Sequence, residues 1–447
     1  MLKSKRFTIL LLFCFQWLFS QKNDSDSLYR KLPFAIAKEK KLPVEELAEK
    51  REGVYVTGIP DISFDPLNGL GYGGEATLFF NGKRSDPFFD YTPYRAEINL
   101  KVFNTTNNQR EIVVGCDIPY IFDSKWRLRA EIAYEINPNH VYFGITENSL
   151  EGLKYYQNND STKTITKNCT YSEYQNGLTT DVKNYNKYTK KESLINVSLE
   201  HSFFGGKLRT LFGYEYAIVD FKSVGNISLL QNDFNTKKIV GFGKNNVSFL
   251  QSGFVYDTRN LETDPSNGMF AELLNELSLK SLGSQFNFNK VFFHINAYKS
   301  LFPKRVNRLV FAGRFGLGYT GGNAPFYEYQ DQWSSEGSIE GLGGGATLRG
   351  YKQGRFLGRV MQFNNLELRY KFAKCTILKQ HLAFSGVPFF DVGAIWNDFN
   401  TIKDFNNYRY SEGLGLRIAW NINTILRFDY AISKEDKQFF FQIGHCF

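Results

Sequence analysis

From Val54 to Phe447 apolar residues recur at every second position in short segments, and after the N-terminus no uninterrupted apolar run reaches the roughly 18 residues a membrane-spanning helix needs. Period two puts successive side chains on opposite faces of a strand. The clearest case closes the chain: in "KQFFFQIGHCF", Phe439, Phe441, Ile443 and Phe447 share one face, with Gln442, Gly444 and Cys446 on the other. Upstream, Leu426, Phe428, Tyr430 and Ile432 alternate with Arg427, Asp429 and Ala431. Before them, Leu414, Leu416, Ile418 and Trp420 alternate with Gly413, Gly415, Arg417 and Ala419. One face is apolar and the other carries charge, so a chain of this kind that meets a membrane crosses it with strands. The 43 Phe and 26 Tyr fit such a β-protein.

Alternation alone does not separate a soluble sandwich from a barrel in lipid, but loop lengths do. Sixteen segments read as strands, centred near residues 59, 75, 98, 114, 131, 196, 212, 251, 275, 294, 312, 365, 387, 414, 428 and 442. The three longest connections, about 137–189, 220–244 and 320–357, follow odd-numbered strands. Those after even-numbered strands are mostly short, as in "PYIFDSK", "FFGG", "FPKR" and "NIN". Long outer loops and short periplasmic turns mark outer-membrane barrels, and this parity puts both termini in the periplasm. An open sheet edge in hydrocarbon leaves backbone groups unpaired, so the sheet must close. The expected fold is all-β: a 16-stranded antiparallel transmembrane β-barrel, with a long inward-folded loop and a short helical N-terminal leader. Its inward face carries Arg314, Glu367, Arg369, Asp391, Arg417, Arg427 and Asp429, which predicts a wet, charged lumen.

The first residues read as export machinery. Lys3, Lys5 and Arg6 precede an apolar core from Phe7 to Phe19, and Ser20 is the small residue before a cut, so 1–20 is a signal peptide. Residues 21–53 form a short periplasmic leader, too short to bury a core of its own, with a helix over "LPVEELAEKRE" from Pro43 that puts Val44, Leu47 and Ala48 on one side. Residues 54–447 are the barrel. The formal charge of +9 is spread through alternating segments rather than gathered in a patch, which argues against nucleic acid. Cys14, Cys116, Cys169, Cys375 and Cys446 show neither a C-x-x-C pair nor metal-ligand spacing. His140, His201, His294, His381 and His445 are scattered, with no H-E-x-x-H and no G-x-S-x-G. No catalytic residue, metal or cofactor is assigned, and an enzyme is the least favoured class.

The glycine-rich stretch "GLGGGATLRGYKQGRF" invites comparison with a phosphate cradle, but no Lys-Ser or Lys-Thr follows it. It lies instead in the loop 320–357, where glycine permits tight turns and close approach as the loop folds back into the barrel. At its tip Arg349 needs a buried acid, because an unpaired guanidinium in a partly desolvated lumen is costly. "VPFFDVGAIWN" supplies one. Alternation sends Phe390, Val392, Ala394 and Trp396 outward and Phe389, Asp391 and Gly393 inward, and Gly393 leaves room for the loop. A guanidinium fork bonds a carboxylate bidentately, so Arg349 and Asp391 form the expected latch, with Glu367 and Asp429 as competing partners.

"LRGY" in a long glycine-rich loop, then "NLELRY", then "FFDVGAIW", resembles the signature of the outer-membrane assembly factor superfamily (BamA/TamA type, the bacterial surface antigen family). "DTRNLETDPSNG" at 257–268, "DPLNGLGYGG" and "PNHVYFGI" are similar to further stretches of that family's barrel. The resemblance covers nearly all of 54–447. It implies that Leu348, Arg349, Gly350 and Tyr351 pack inside a 16-stranded barrel against Phe389, Asp391 and Gly393. It also implies that Phe439, Phe441, Ile443 and the terminal Phe447 form an assembly signal. Residues 21–53 leave no room for a POTRA module, the βααββ unit that precedes the barrel in family members that insert or secrete proteins, so the chain resembles a POTRA-less member.

The implied place is the outer membrane of a Gram-negative bacterium, with its lipid as the first partner. The implied role is outer-membrane protein assembly or translocation, through a weak seam between first and last strands. Candidate protein partners are the assembly machinery or other envelope proteins. Two other roles stay open: an accessory or structural barrel presenting surface loops, and a small-solute pore.

Overall fold

The computed structural model describes residues 31–36, 41–42, 47, 50–154, 169–178, 182–302, 309–377, 380–420 and 424–447. The expected signal, 1–20, lies outside these residues, as does most of the helix expected from Pro43; of its described residues Leu47 is helical and Lys50, Arg51 and Glu52 are not.

Strands β1 (Val54–Asp65), β2 (Gly69–Phe80), β3 (Ala96–Thr105) and β4 (Arg110–Ile118) begin the wall. Longer strands follow: β5 (Trp126–Val141), β6 (Lys187–Phe203), β7 (Leu208–Ser223) and β8 (Gly243–Asp257). Next come β9 (Asn267–Ser278), β10 (Phe288–Ser300), β11 (Leu309–Gly322) and β12 (Val360–Ile377). The wall ends with β13 (Gln380–Trp396), β14 (Arg409–Trp420), β15 (Thr424–Ile432) and β16 (Lys437–Ile443). Each strand pairs antiparallel with its neighbours in the chain, and β16 meets β1 to close the barrel. Every expected strand centre falls inside one of these strands. Among the described residues no helix is long and apolar enough to cross a membrane, and no βααββ unit precedes β1.

Alternation sets the two faces. Leu414, Leu416, Tyr430, Ile432, Phe439 and Ile443 stand on the outer surface, well exposed, while Arg417, Arg427 and Asp429 are buried inside. The long connections 142–186, 224–242 and 323–359 leave one end of the barrel, and the connections after even-numbered strands leave the other. Among the latter, 81–95 is longer than the rest because it holds the leader. Lys50 Nζ donates to the carbonyls of Phe89 and Thr92, the latter at 2.7 Å, and lies 3.9 Å from the Phe89 ring centre. Leu42 N donates to Asp90 O, Lys41 pairs with Asp90 at 2.9 Å, and the Phe34 ring meets Phe88 at 5.6 Å. The described residues of 31–53 are therefore docked against this connection.

The last strand departs from the sequence reading in one respect. Phe439, Phe441 and Ile443 keep the outward face, but Phe447 does not join them. Gly444 adopts φ 92°, a left-handed turn that ends the strand and carries the last residues into the lumen. There the Phe447 carbonyl accepts from Arg369 Nη2 at 2.8 Å, and its ring faces the guanidinium groups of Arg314 and Arg369.

Candidate functional site

The inside of the barrel is filled by its longest glycine-rich connection, residues 323–359. The chain folds down from the rim, forms a small ladder between Asp331–Gln332 and Ile339–Glu340, and turns at Leu348–Tyr351 before returning. Leu348 and Tyr351 are buried, clustered with Leu342 and Phe356 of the same loop against Phe292 and Phe363 of the wall. A wet lumen was expected; at this level it is a packed interior. Gly393 on β13 makes the approach feasible, because a Cβ there would stand 2.3 Å from a Leu342 methyl group.

At the loop's turn, Arg349 is fully buried. Its Nε and Nη2 donate to the two oxygens of Asp391 at 2.8 and 2.9 Å, and its backbone N–H donates to the same carboxylate at 3.1 Å. Nη1 donates to both Glu367 and Asp429, at 2.9 Å each. The sequence reading set these two acids as competitors of Asp391; the geometry brings all three onto one guanidinium. Phe389 lies beneath the guanidinium, its ring centre 3.5 Å from the guanidinium carbon. Gly350 offers its carbonyl to Ser433 Oγ at 2.6 Å, tying the turn to the β15–β16 connection.

Three further wall residues complete the network. Arg417 donates to Asp429 at 2.6 Å and to Glu367 at 3.1 Å, and Arg369 donates to the other oxygen of Glu367 at 2.9 Å. These three carboxylates thus face Arg349, Arg369 and Arg417, with Arg427 3.9 Å from Asp429, and all seven groups are buried. Asn365 bridges loop and wall, donating to Thr347 O at 2.6 Å and to Asp391 Oδ1 at 2.7 Å. A buried ion pair with all its hydrogen bonds made resists disruption, whereas losing one partner leaves an uncompensated charge.

The sequence reading missed other ties along the loop. Glu328 pairs with Lys290 at 2.9 Å. Ser334 donates to Glu272 at 2.7 Å, and that carboxylate also holds His294 at 2.6 Å. Glu336 meets Arg259, from the turn "DTRNLETDPSNG". Arg355 grips Glu435 at 2.7 and 2.9 Å and donates to the Glu151 carbonyl at 2.8 Å. Inward-facing polar positions on β9 and β10 are the signal that marks Glu272, Lys290 and His294; nothing local links them to loop residues some 40 to 60 positions on.

The wall beside this site has a weak place. β1 pairs with β2 along its whole length, from Val54 opposite Phe80 to Asp65 opposite Gly69. On its other side, among the described residues, Phe64 opposite Phe441 is the single register pair joining β1 to β16. The seven residues of β16 rise roughly 23 Å along the strand. Tilted, they cover about 16 Å, less than the hydrocarbon thickness. Most of β1 therefore presents an open edge. No group of His, Cys, Asp and Glu among the described residues is arranged to hold a metal.

No curated protein sequence matches the chain. Among solved structures, the fold is similar to BamA from Haemophilus ducreyi lacking POTRA domains 1–3, at 17% identity over 88% of this chain and 70% of that one, TM-score 0.52. It is also similar to CdiB from Escherichia coli, at 10% identity over 87% of this chain, TM-score 0.53; the chain spans 62% of that protein. At these identities the likeness concerns the fold. Residues 32–95 match a domain of unknown function, DUF5982, whose span joins the docked leader, β1, β2 and the 81–95 connection. The Omp85 superfamily domain matches residues 73–447, and with that match over most of its length the chain belongs to the Omp85 superfamily.

Proposed function

We propose that this outer-membrane barrel works in outer-membrane protein assembly or translocation, and that its working part is the β1–β16 seam. The observation that carries the reading is the single register pair, Phe64 opposite Phe441, against full-length pairing of β1 with β2. An exposed strand edge recruits another strand through main-chain hydrogen bonds, and a client arriving as an unpaired hairpin brings the edge that β1 lacks. The short-turn end faces the periplasm in this reading, with both termini there, so the open part of β1 is reached from the side on which clients arrive. Arg349 and its carboxylates serve as the latch that keeps loop 323–359 seated while the seam changes. Phe439, Phe441 and Ile443 serve as an outward assembly signal, without Phe447.

A small-solute pore is disfavoured by the loop that fills the lumen. The accessory-barrel reading draws support from the long-loop end, where Tyr142, Tyr188, Phe221 and Phe326 are buried together beneath the loops and give those loops a fixed base. A crosslink separates the two. With exposed Cys375 replaced by Ser, Phe64→Cys with Phe441→Cys locks the seam on oxidation. In vesicles carrying the chain, the unlocked form is expected to accelerate folding of an unfolded outer-membrane barrel. The locked form is expected to lose that acceleration and regain it on reduction. Equal rates with and without the lock, or no acceleration by the unlocked chain, contradict the assembly role.

A further inference from the structure

The connection between β13 and β14 repeats a tripeptide: Asp398-Phe399-Asn400 and Asp404-Phe405-Asn406. Each copy is a short 3-10 turn in which the Asp carboxylate accepts from the backbone N–H two residues on, at 2.8 and 3.0 Å. These side-chain bonds fix the turns without help from elsewhere. The connection does not rise from the rim. It folds down over the outward face of the wall, where Ile402 and Tyr408 pack with Leu317, Tyr319, Val360, Ala394 and Trp396. Asn407 Nδ2 donates to Ile395 O at 2.9 Å, and Trp396 Nε1 donates to Asp404 O at 3.4 Å. Ala394 and Trp396 do point outward, as alternation requires, yet Trp396 is only 1% exposed because this connection covers it.

The cover leaves two aromatic rings uncovered. Phe399 lies 5.1 Å from Tyr319 and stays 45% exposed; Phe405 lies 6.1 Å from Tyr408 and is 78% exposed. Shielding Trp396 does not require either ring. The rings continue the apolar outer wall, whose nearby members Phe390, Tyr410 and Leu414 are also exposed. Aromatic side chains gather where a barrel's apolar band gives way to headgroups, and full burial of one Phe is worth about 1.5–3 kcal/mol.

We infer that residues 397–408 form a membrane foot: the paired D-F-N turns seat Phe399 and Phe405 in the acyl–headgroup boundary of the leaflet at the long-loop end. In the orientation proposed above this is the outer leaflet. Asp398, Lys403 and Asp404, all exposed, stay among the headgroups. The occupant is lipid because the patch is continuous with the lipid-facing wall and its two turns are built on that wall. The foot lies on the β16 side of the seam, with β15 and β16 between, so it holds this part of the wall at a set depth.

The test places a tryptophan at the foot. In a chain with Trp126 and Trp420 changed to Phe, Phe405→Trp is refolded into phosphatidylcholine vesicles with and without lipids brominated near the top of the acyl chain, and the added tryptophan's emission is read as the difference from the same chain with Phe405 intact, which keeps Trp333 and Trp396. Emission is expected to shift to the blue and to fall at least twofold with the brominated lipid, with little quenching by aqueous iodide. Phe399→Trp is expected to behave alike and stands in should the first variant fail to fold. Water-like emission quenched by iodide and not by bromolipid overturns the inference. So does a blue shift that vanishes as the protein-to-lipid ratio falls, which would assign the patch to contact between copies.

Discussion

The turn around Arg349 and the seam between β1 and β16 lie in the same barrel and are built in opposite ways. At the turn, one guanidinium meets three carboxylates, those carboxylates accept hydrogen bonds from two more arginines, and a ring closes the underside. At the seam, a full-length strand meets a seven-residue strand through one register pair. The contrast teaches where this fold places rigidity. A wall that closed by uniform pairing would need nothing inside; one with a weak closure needs its interior held by other means, and the seated loop supplies that by bonding to strands on several sides. In the assembly role proposed above, the seam changes while the loop stays seated.

The comparison breaks most readily at the turn. Arg349→Ala leaves Asp391, Glu367 and Asp429 facing each other with one cation fewer, and loss of one partner from a buried pair costs about 3–5 kcal/mol. The folded form is expected to convert to the unfolded form at a clearly lower temperature on a semi-native gel, with loop 323–359 newly open to protease. Asp391→Ala is expected to act in the same direction, and the double change to cost less than the sum, because the two groups touch. Additive losses would separate the residues energetically.

A smaller loss is expected from Gly393→Val. The new side chain occupies the space of the Leu342 methyl groups, and overpacking of this kind costs about 1–3 kcal/mol. The loop should become protease-sensitive while the strands keep their circular dichroism. An unaltered loop would mean that Leu342 moves freely, against a rigid interior.

The smallest effect concerns the leader on the β1 side of the seam. Burial lowers the Lys50 ammonium from its ordinary 10.5 to about 8, while Asp86 and Asp90 pull the other way. The docked state therefore binds fewer protons than the undocked one between about pH 8 and 10.5, so docking strengthens as pH rises through that window. Protease protection of residues 31–53 is expected to increase modestly from pH 7.5 to 9.5, and Lys50→Met to flatten the trend. A loss of protection over that range would show that the charged form is the one the dock prefers.

Much of this was legible in the sequence for a physical reason: strand alternation and loop parity are local, and each can be read in ten to twenty residues. Arg349 and Asp391 were legible because a buried charge demands an opposite one nearby. That Glu367 and Asp429 share the guanidinium with Asp391 was not, since sharing depends on how three strands and a loop converge. The inward turn of Phe447 hinges on the conformation of Gly444, which overrode the alternation of the strand before it. The docking of Phe34 and Lys50 depends on partners at 81–95, beyond the reach of any local pattern. The covering of Trp396 by residues 397–408 escaped for the same reason, as alternation says which way a side chain points and not what lies over it.

Peptide-resolved hydrogen exchange of the folded chain in bilayers tests the contrast most directly. The account predicts that 341–351 stays protected as long as β12 and β13, while Val54–Ser63 and β16 exchange at least tenfold faster. Seam strands as protected as β12 and β13, or a loop that exchanges before them, would contradict it.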